Sequence, residues 1–395
     1  MGSDSSKVIV RTNLENLKDA MKQGNLPDLA SQIHQELDLL EGTTVDVAVT
    51  GVSGAGKSSF VNAVRGMADS EEGAAATGVK QTTMEPKAYQ HPTFPNVTVW
   101  DLPGIGTHEF KANEYLKKIN FGRYDFFIIV AAERFFENDE MLAREIQRLK
   151  KHFYFVRTKV DSSLEAERRK PDFSEEKTLQ EIREYCCENL TKAGESAPRI
   201  FLISSWHLDK YDFPVLQVTL LNDLNEMKRH ALILALPSFS KEILQKKKAA
   251  MEDIIWRQAI VSACVEAFPV PHTPLLCNFL IVIKTLRHFY KVFGLDDDSL
   301  HRLAKWVGKP VEVLRSAIQK SPVPSEITEE FTISLLCEFL ALHMTVDAVI
   351  SYLEPSMVDL PDGGQCFKTL FFLLKFFLND IVEDAGNVWA KAAEH

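Results

Sequence analysis

The stretch GVSGAGKS, at residues 51–58, constrains the fold of this chain more than any other feature. It fits the pattern G-x-x-x-x-G-K-[ST], in which glycines let the backbone turn tightly so that successive N–H groups point at phosphate oxygens. The alternating Val45, Val47 and Val49 before it predict a short strand, and an apolar helix is predicted over residues 58–65. A strand, this loop and the N-terminus of a helix together form a phosphate-binding site.

Each residue of the loop has an expected role. The main-chain N–H groups cradle the phosphates, Lys57 reaches the β- and γ-phosphates, and the hydroxyl of Ser58 binds Mg²⁺. These assignments predict a nucleoside triphosphate and Mg²⁺ as the bound groups. Nucleotide contacts are expected from Gly51, Gly54, Gly56, Lys57, Ser58 and Ser59.

A second motif, DLPG at residues 101–104, follows a predicted strand at residues 97–100. Asp101 can hold the Mg²⁺ shell through a water molecule, and the Gly104 N–H can sense the γ-phosphate. A strand that ends in Asp-x-Pro-Gly is also compatible with a plain turn. Its place downstream of the phosphate loop favours the nucleotide role.

A third motif, TKVD at residues 158–161, follows a predicted strand at residues 153–156. The Asp161 carboxylate can accept hydrogen bonds from N1–H and the 2-amino group of guanine, whereas adenine offers neither donor there. Thr158 belongs to the same loop, and Lys159 is expected to lie along the base. The motif therefore favours GTP over ATP, which makes a P-loop kinase or ATPase a distant alternative.

A fourth loop, at Ser204 and Ser205, follows the predicted strand at residues 200–203. Its position suits a main-chain N–H that meets the O6 atom of guanine. The S-A-K sequence common in this loop of GTPases is absent, so the assignment rests on order along the chain.

The strands at 45–49, 97–100, 126–131, 153–156 and 200–203 are almost continuously apolar and alternate with predicted helices. This pattern predicts a buried, largely parallel sheet within an α/β domain at residues 44–230. Residues 1–43 are predicted to be helical, with a hairpin over 12–40. Residues 231–395 show no strand signal and are predicted to form an all-α domain, with helices at 299–307, 311–319, 331–353 and 370–389.

The composition excludes several classes of function. A net charge of −10 argues against a general nucleic-acid binder, which normally presents a large basic face. The six cysteines form no CxxC pair, which argues against a zinc site and favours free thiols in a reducing, cytoplasmic compartment. The longest uncharged run, at residues 267–283, contains three prolines and falls short of a transmembrane helix. Any membrane contact is therefore expected to be peripheral.

These motifs, with other segments, resemble the interferon-inducible immunity-related GTPases of the branch with a GKS loop. The matching segments are VTGVSGAGKSSFVNAVRG, EEGAAATGVKQTTMEP, NVTVWDLPGIGT, YDFFIIVAAERF, FYFVRTKVDS, KYDFP, FGLDDDSL and NDIVEDA. The match is close from about residue 49 to 214 and weak between 325 and 367. The resemblance implies a GTPase domain inserted into a helical domain built from both chain ends.

The resemblance also implies an activity. It implies hydrolysis of GTP to GDP, GTP-dependent self-assembly that stimulates hydrolysis, and peripheral action on intracellular membranes: the endoplasmic reticulum, the Golgi or vacuoles that enclose pathogens. Ile105 stands where many small GTPases have the glutamine that orients water. The family suggests that two GTPase domains meet across their nucleotide faces and complete the site in trans.

The segment at residues 76–83 then becomes the predicted switch. Thr83, or else Thr82 or Thr77, is the candidate to contact Mg²⁺. Gln81 stands where related proteins with a GKS loop often carry a glutamate thought to assist hydrolysis, and it cannot act as an anionic base. Gln81 either binds a water molecule or a partner's ribose, or is simply a solvated loop residue. The departure keeps open a second hypothesis, a nucleotide-gated scaffold with negligible turnover.

Two features bear on membranes, and one on local structure. The start MGSDSS fits a signal for N-myristoylation of Gly2, although an unmodified polar start is equally compatible. Residues 254–283, preceded by a run of three lysines, are either a second membrane contact or helix faces that fill a core. The acidic run at 296–298 lacks the spacing of a calcium loop and is expected to cap the helix that follows.

Overall fold

The computed structural model describes residues 26–78, 85–104, 119–133, 135, 137–266, 273–322, 327–328, 330–332, 334 and 365–394. The chain divides into two compact units. One unit comprises Thr43–Ile243 and His301–Pro310, and the other comprises Met1–Gly42, Leu244–Leu300 and Val311–His395. The second unit thus takes residues from both ends of the chain. The predicted limits of 44 and 230 for the α/β domain stay a prediction.

The α/β unit is built on a six-stranded sheet in the order β2-β3-β1-β4-β5-β6. All neighbouring strands in the sheet are parallel except β2 and β3, which are antiparallel. The predicted, largely parallel sheet is therefore confirmed. The strands are β1 (Val45–Thr50), β2 (Lys87–Gln90), β3 (Val97–Asp101), β4 (Phe126–Ala131), β5 (His152–Arg157) and β6 (Ile200–Leu202).

The centre of the sheet explains its apolar sequence. Every residue of β4 is buried, because helices cover both faces of a parallel sheet. In the register of the strands, Val49 on β1 lies opposite Asp101 on β3 and Ile128 on β4. The carboxyl ends of these three strands therefore meet at one edge of the sheet, which is where the predicted motifs follow.

The edge strand β2 was not predicted. Its sequence, KAYQ, buries only Tyr89, so it lacks the apolar pattern by which the other strands were found. The helix predicted at residues 58–65 is present, displaced by one residue, whereas the helices at 160–167, 213–222 and 226–235 were not predicted. Among the described residues, the α-helices that lie wholly within Thr43–Ile243 are α2 (Lys57–Val64), α3 (Glu137–Arg148), α4 (Val160–Glu167), α5 (Glu175–Lys192), α6 (Phe213–Asn222) and α7 (Glu226–Ala235).

The remaining described elements are helices, as predicted. The N-terminal helix α1 spans Leu26–Gly42, and the first half of the predicted hairpin lies outside the described residues. The predicted helix at 331–353 lies almost entirely outside them as well. The C-terminal helices are α8 (Lys241–Glu266), α9 (Thr273–Phe293), α10 (Asp297–Val307), α11 (Val311–Arg315) and α12 (Gln365–Ala393).

Two helix ends show how side chains set these bounds. The Ser299 N–H donates to Asp296 Oδ1 at 3.1 Å, which confirms that the acidic run caps α10. Helix α11 ends at Arg315, four residues before the predicted end. The N–H groups of residues 319–321 instead donate to the fully buried carboxylate of Asp384 on α12, so they are not available to continue the helix.

The core of the helical unit takes up the first part of the apolar stretch that was a membrane candidate, at residues 255–264. Ile255, Ala259 and Cys264 are buried, and the Trp256 ring packs edge-on against Phe367 at 5.1 Å. Lys247, in the lysine run before them, is 3% exposed and donates to the Val292 carbonyl. For residues 254–264 the core alternative describes the structure. None of the helices in the described part of the chain has the length and apolar character of a membrane-spanning segment.

Candidate functional site

The loop between β1 and α2 has the backbone that its glycines predict. Gly51, Gly54 and Gly56 have φ angles of 140°, 80° and 87°, values that residues with a side chain rarely adopt. A Cβ atom at Gly51 would lie 2.1 Å from the Val130 carbonyl oxygen on β4. The loop therefore lies directly against the sheet, and only glycine fits at its first position.

Lys57 is folded back over this loop. Its side chain is 7% exposed, and Nζ donates to the Val52 carbonyl at 3.0 Å. Burial lowers the pKa of the ammonium group, while the carboxylates of Asp101 and Asp139 act in the opposite direction. The lysine is thus a buried cation beside the loop, suited to compensate the charge of a phosphate.

Ser58 and Asp101 come together as the two motifs predict. Ser58 Oγ donates to Asp101 Oδ2 at 2.6 Å, joining the first residues of α2 to the end of β3. Asp101 is fully buried. A hydroxyl oxygen beside a carboxylate is the kind of oxygen donor set that Mg²⁺ prefers.

The turn after β3 passes close over the phosphate loop. The Leu102 N–H donates to the Val49 carbonyl at 3.0 Å, which extends the pairing of β1 and β3 by one residue. A Cβ atom at Gly104 would lie 2.9 Å from Ser53 Cα and 3.0 Å from Ser53 N. Glycine at 104 therefore permits an approach between two backbones that any side chain would prevent.

The TKVD loop is tied to the phosphate loop by two hydrogen bonds. Thr158 Oγ1 donates to the Ala55 carbonyl at 2.7 Å, and Lys159 Nζ donates to the Gly54 carbonyl at 3.0 Å. Lys159 itself has a left-handed backbone, with φ of 57°, and it precedes helix α4. These bonds fix the spacing between the loop expected to hold phosphate and the loop expected to hold the base.

Asp161 lies in the first turn of α4. The Val160 N–H before it donates to the Ile203 carbonyl at 3.3 Å, which places the TKVD loop beside the loop after β6. Asp161 Oδ1 is buried and accepts no hydrogen bond from the described residues. A buried carboxylate oxygen that accepts no hydrogen bond is unfavourable, so it is suited to accept hydrogen bonds from N–H donors of a ligand.

Ser204 and Ser205 follow Ile203 in this neighbouring loop. Ser204 is fully buried, and its Oγ accepts the Trp206 N–H at 3.2 Å. Its side chain is therefore engaged within the loop, which leaves the main chain as the expected contact with a base. The following Trp206 is 64% exposed and was not singled out from the sequence.

Helix α5 and the KYDFP segment hold β6 in place. The Asp212 carboxylate accepts the Leu202 N–H at 2.8 Å and a hydrogen bond from the Arg183 guanidinium at 2.5 Å. Asp212 thus links the end of β6 to helix α5, just before the loop that contains Ser204.

Sequence reasoning missed two polar side chains near the loop. Asp139 is fully buried in the first turn of α3, and its charge partly opposes the burial that lowers the pKa of Lys57. It was missed because an acidic residue at a helix start is usually solvated. Asn62 is fully buried in α2. The sequence could have indicated a special role for Asn62, because asparagine is a poor helix former and this one stands in an otherwise apolar run. The predicted residues Gly2, Gln81, Thr83, Ile105 and the alternative Thr82 lie outside the described residues.

Known proteins match nearly the whole chain. The sequence model of the family described as Interferon-inducible GTPase (IIGP) matches residues 10–392. The chain is 44% identical over 393 residues to Interferon-inducible GTPase 5 of Rattus norvegicus, covering 99% of this chain and 85% of the rat protein. It is 40% identical over 383 residues to Interferon-inducible GTPase 1 of Mus musculus, covering 96% of this chain and 90% of the mouse protein.

Solved structures match a smaller part of the chain. Toc33 from Arabidopsis thaliana, in complex with Mg²⁺ and GMPPNP, is 17% identical, with a TM-score of 0.31. The match covers 46% of this chain and 79% of Toc33. A bacterial selenocysteine-specific elongation factor, EF-Sec, matches with a TM-score of 0.32 and 18% identity over 48% of this chain and 30% of that protein.

Proposed function

Because the chain belongs to the interferon-inducible GTPase family, we propose that it binds GTP with Mg²⁺, hydrolyses it to GDP and assembles with copies of itself on intracellular membranes. Its class as an immunity-related GTPase follows from the family. The residue roles, the turnover and the assembly are the proposal. The observation that carries it is the 2.6 Å contact between Ser58 Oγ and Asp101 Oδ2, since it joins the phosphate loop to the metal motif.

Guanine recognition is assigned to Asp161. Its buried Oδ1 suits the N1–H and 2-amino donors of guanine, which adenine lacks at that edge. Lys159, held by the Gly54 carbonyl, lies with its stem beside the base site. Main-chain groups at Ser204 and Ser205 supply the contact with O6.

Phosphate binding is assigned to the loop itself. The N–H groups around Gly51, Gly54 and Gly56 surround the phosphates, and Lys57 exchanges its bond with the Val52 carbonyl for phosphate oxygens. Ser59 lies beside Ser58 at the N-terminus of α2, where the helix dipole favours anions.

The metal site consists of Ser58 and Asp101, with Thr83 as the further ligand expected from the sequence. Mg²⁺ held by these residues would supply positive charge beside the β- and γ-phosphate oxygens. Ser58 contributes a neutral oxygen, and Asp101 holds its position through the hydrogen bond that now joins the two. The Gly104 N–H is assigned to the γ-phosphate, and the close approach of the Gly104 backbone to Ser53 in the phosphate loop supports this assignment.

Hydrolysis needs an oriented water molecule, and Ile105 cannot orient one. We assign that step to a site completed by a second copy across the nucleotide face, with Gln81 as the residue that binds the water or the partner's ribose. Preorganised donors at Lys57 and Gly104 then stabilise the charge of the transition state. This assignment makes turnover depend on protein concentration.

Membrane association belongs to the same proposal. One acyl chain on Gly2 would give only marginal binding, so assembly into a multivalent oligomer strengthens it. The membranes expected from the family resemblance are those of the endoplasmic reticulum, the Golgi or a pathogen-containing vacuole. No nucleic-acid partner is proposed, since the net charge is −10.

A nucleotide-gated scaffold with negligible turnover is the second candidate, favoured by Ile105 and by Gln81 in place of glutamate. The test measures binding and hydrolysis of GTP and of ATP by the full chain, with Mg²⁺ and with EDTA. The proposal expects Mg²⁺-dependent release of phosphate from GTP and weak binding of ATP. Tight binding of GTP without any release of phosphate would favour the scaffold, and equal binding of ATP would contradict both.

A further inference from the structure

Helix α2 and the residue that follows it carry buried polar side chains that the phosphate site does not use. Asn62 is fully buried, and Arg65, which follows the last residue of the helix, is 5% exposed. Both lie beyond the residues that contact nucleotide in the proposed site. A buried amide or guanidinium is costly unless its hydrogen bonds are made, so their partners indicate what they do.

Asn62 pairs with the main chain of a single residue, Ala75. The Ala75 N–H donates to Asn62 Oδ1 at 2.6 Å, and Asn62 Nδ2 donates to the Ala75 carbonyl at 3.0 Å. The side-chain amide thus binds both main-chain groups of Ala75, as a neighbouring strand would. The second Nδ2 hydrogen goes to Asp69 Oδ1 at 2.7 Å.

Asp69 links this pair back to the phosphate loop. Its other oxygen, Oδ2, accepts from Ser59 Oγ at 3.4 Å. Ser59 directly follows Ser58, the residue bonded to Asp101. A continuous path of hydrogen bonds therefore runs from the start of α2 through Asp69 and Asn62 to Ala75.

Arg65 holds the same segment at a second place. Its guanidinium donates to the Gly73 carbonyl and to the Gln90 carbonyl on β2, each at 3.1 Å. It also lies over the Tyr89 ring, 5.3 Å from the centroid. We call Asn62, Arg65 and Asp69 the α2 clamp. The clamp fixes residues 67–75 on the helix that begins at the phosphate loop.

We propose that Asn62 is a positioning residue for GTP hydrolysis, which it serves by holding residues 67–75 on the phosphate-loop helix. The inference rests on the function proposed above. Residues 76–78, which follow the clamp, are exposed and begin the predicted switch segment. An anchored segment loses less conformational entropy when its end contacts a nucleotide than a free one does. The clamp thereby lowers the entropy cost of a contact between the switch segment and the γ-phosphate.

The test exchanges the residue types at positions 62 and 69, two of the three members of the clamp. In Asn62→Asp, the new carboxylate keeps an acceptor for the Ala75 N–H but cannot donate to the Ala75 carbonyl, and it faces the carboxylate of Asp69. In the double variant Asn62→Asp, Asp69→Asn, an amide at position 69 donates to that carboxylate and restores the link with its roles reversed. Glu72→Ala, at an exposed position of the same segment, is the matched control.

Four quantities are measured for each variant: kcat and KM for GTP, the affinity for GDP, and the affinity for a nonhydrolysable GTP analogue. We expect Asn62→Asp to lower kcat about tenfold and to leave GDP affinity within about twofold, because misplacement of distant groups acts on the transition state. The double variant should recover part of the loss, because the link between positions 62 and 69 is restored while the Ala75 carbonyl still lacks its donor. Glu72→Ala should behave as wild type. Circular dichroism and melting temperature identify variants that fail to fold. If Asn62→Asp does so, Asp69→Ala, at a partly exposed site, replaces it.

Two results would overturn the inference: kcat and GDP affinity that fall together by the same factor, or a folded Asn62→Asp variant with unchanged kcat. A wild-type chain that binds GTP and never hydrolyses it would instead contradict the proposed function. In that case the affinities for the nonhydrolysable GTP analogue and for GDP test the inference about Asn62. Loss of the preference for the analogue over GDP in Asn62→Asp would support the clamp, and an unchanged preference would overturn it.

Discussion

The hydroxyl of Thr158 donates a 2.7 Å hydrogen bond to the carbonyl of Ala55, across 103 positions of sequence. This bond connects the loop assigned to guanine with the loop assigned to phosphate. The parallel bond from Lys159 Nζ to the Gly54 carbonyl spans the same two loops. Two side chains of the TKVD loop thus bind main-chain carbonyls of the phosphate loop, and these bonds hold the two loops together.

Thr158→Val should loosen this connection while it preserves the shape of the side chain. Loss of a buried hydrogen bond costs about 1 kcal/mol, so we expect lower stability and a several-fold faster dissociation of GDP. Stopped-flow release of a fluorescent GDP measures the rate. Thr219→Val removes an exposed bond from a threonine hydroxyl to a main-chain carbonyl, that of Val215 within α6, and should leave GDP release unchanged. Equal release from both variants would contradict a special role for the loop connection.

Asp161→Asn should change which base the site accepts. The amide offers a donor where the carboxylate accepts, so it disfavours guanine and suits xanthine, which carries a carbonyl in place of the 2-amino group. Charge-assisted hydrogen bonds contribute about 1.5–3 kcal/mol each, which predicts at least tenfold weaker binding of GTP. Competition between GTP and XTP measures the change. Glu165→Gln, on the exposed side of the same helix, serves as the control, and full GTP affinity in Asp161→Asn would refute the base assignment.

Ser58→Ala should separate metal binding from phosphate binding. The variant loses the oxygen that contacts Asp101 Oδ2 but keeps the glycines and Lys57. We expect the gain in GTP affinity on addition of Mg²⁺ to shrink at least about fivefold, since one of few protein oxygens near the metal is gone. Titration of GTP with Mg²⁺ and with EDTA measures this gain, beside Ser196→Ala at an exposed position between α5 and β6. An undiminished Mg²⁺ effect would remove Ser58 from the metal site.

The sequence predicted the phosphate loop and TKVD loop because their motifs specify backbone geometry. Gly51 illustrates this, as its contact with Val130 admits no other residue. The edge strand β2 and the partners of Asn62 could not be predicted, since they depend on side chains that meet only in the folded unit. The end of α11 depends likewise on Asp384, which lies more than 60 positions further along the chain.

Lys247 provides a prediction about pH. Burial lowers its pKa from 10.5 to about 7, so between these values the unfolded chain binds more protons than the folded one. The free energy of unfolding therefore rises with pH across this window, by about 1.4 kcal/mol per unit from this group. Lys247→Met lacks that contribution. Lys247→Met avoids the cost of burying this charge, so its free energy of unfolding should exceed that of wild type. The difference should be largest near pH 7 and shrink toward pH 9.

Thermal unfolding at pH 7, 8 and 9 measures that difference, with Lys248→Met at a partly exposed neighbouring position as the control. The control should follow the wild-type dependence on pH. If Lys247→Met also followed it, Lys247 would be protonated in the folded state and the effect of burial would be refuted.

The central claim is that a second copy of the chain completes the GTPase site. The most direct measurement is GTP turnover per molecule over a hundredfold range of protein concentration, beside Lys57→Ala. The account predicts turnover that rises with concentration and then levels off, and no turnover in Lys57→Ala. Turnover that stays constant over the whole range would contradict completion in trans, and its absence at every concentration, with GTP bound, would favour the scaffold.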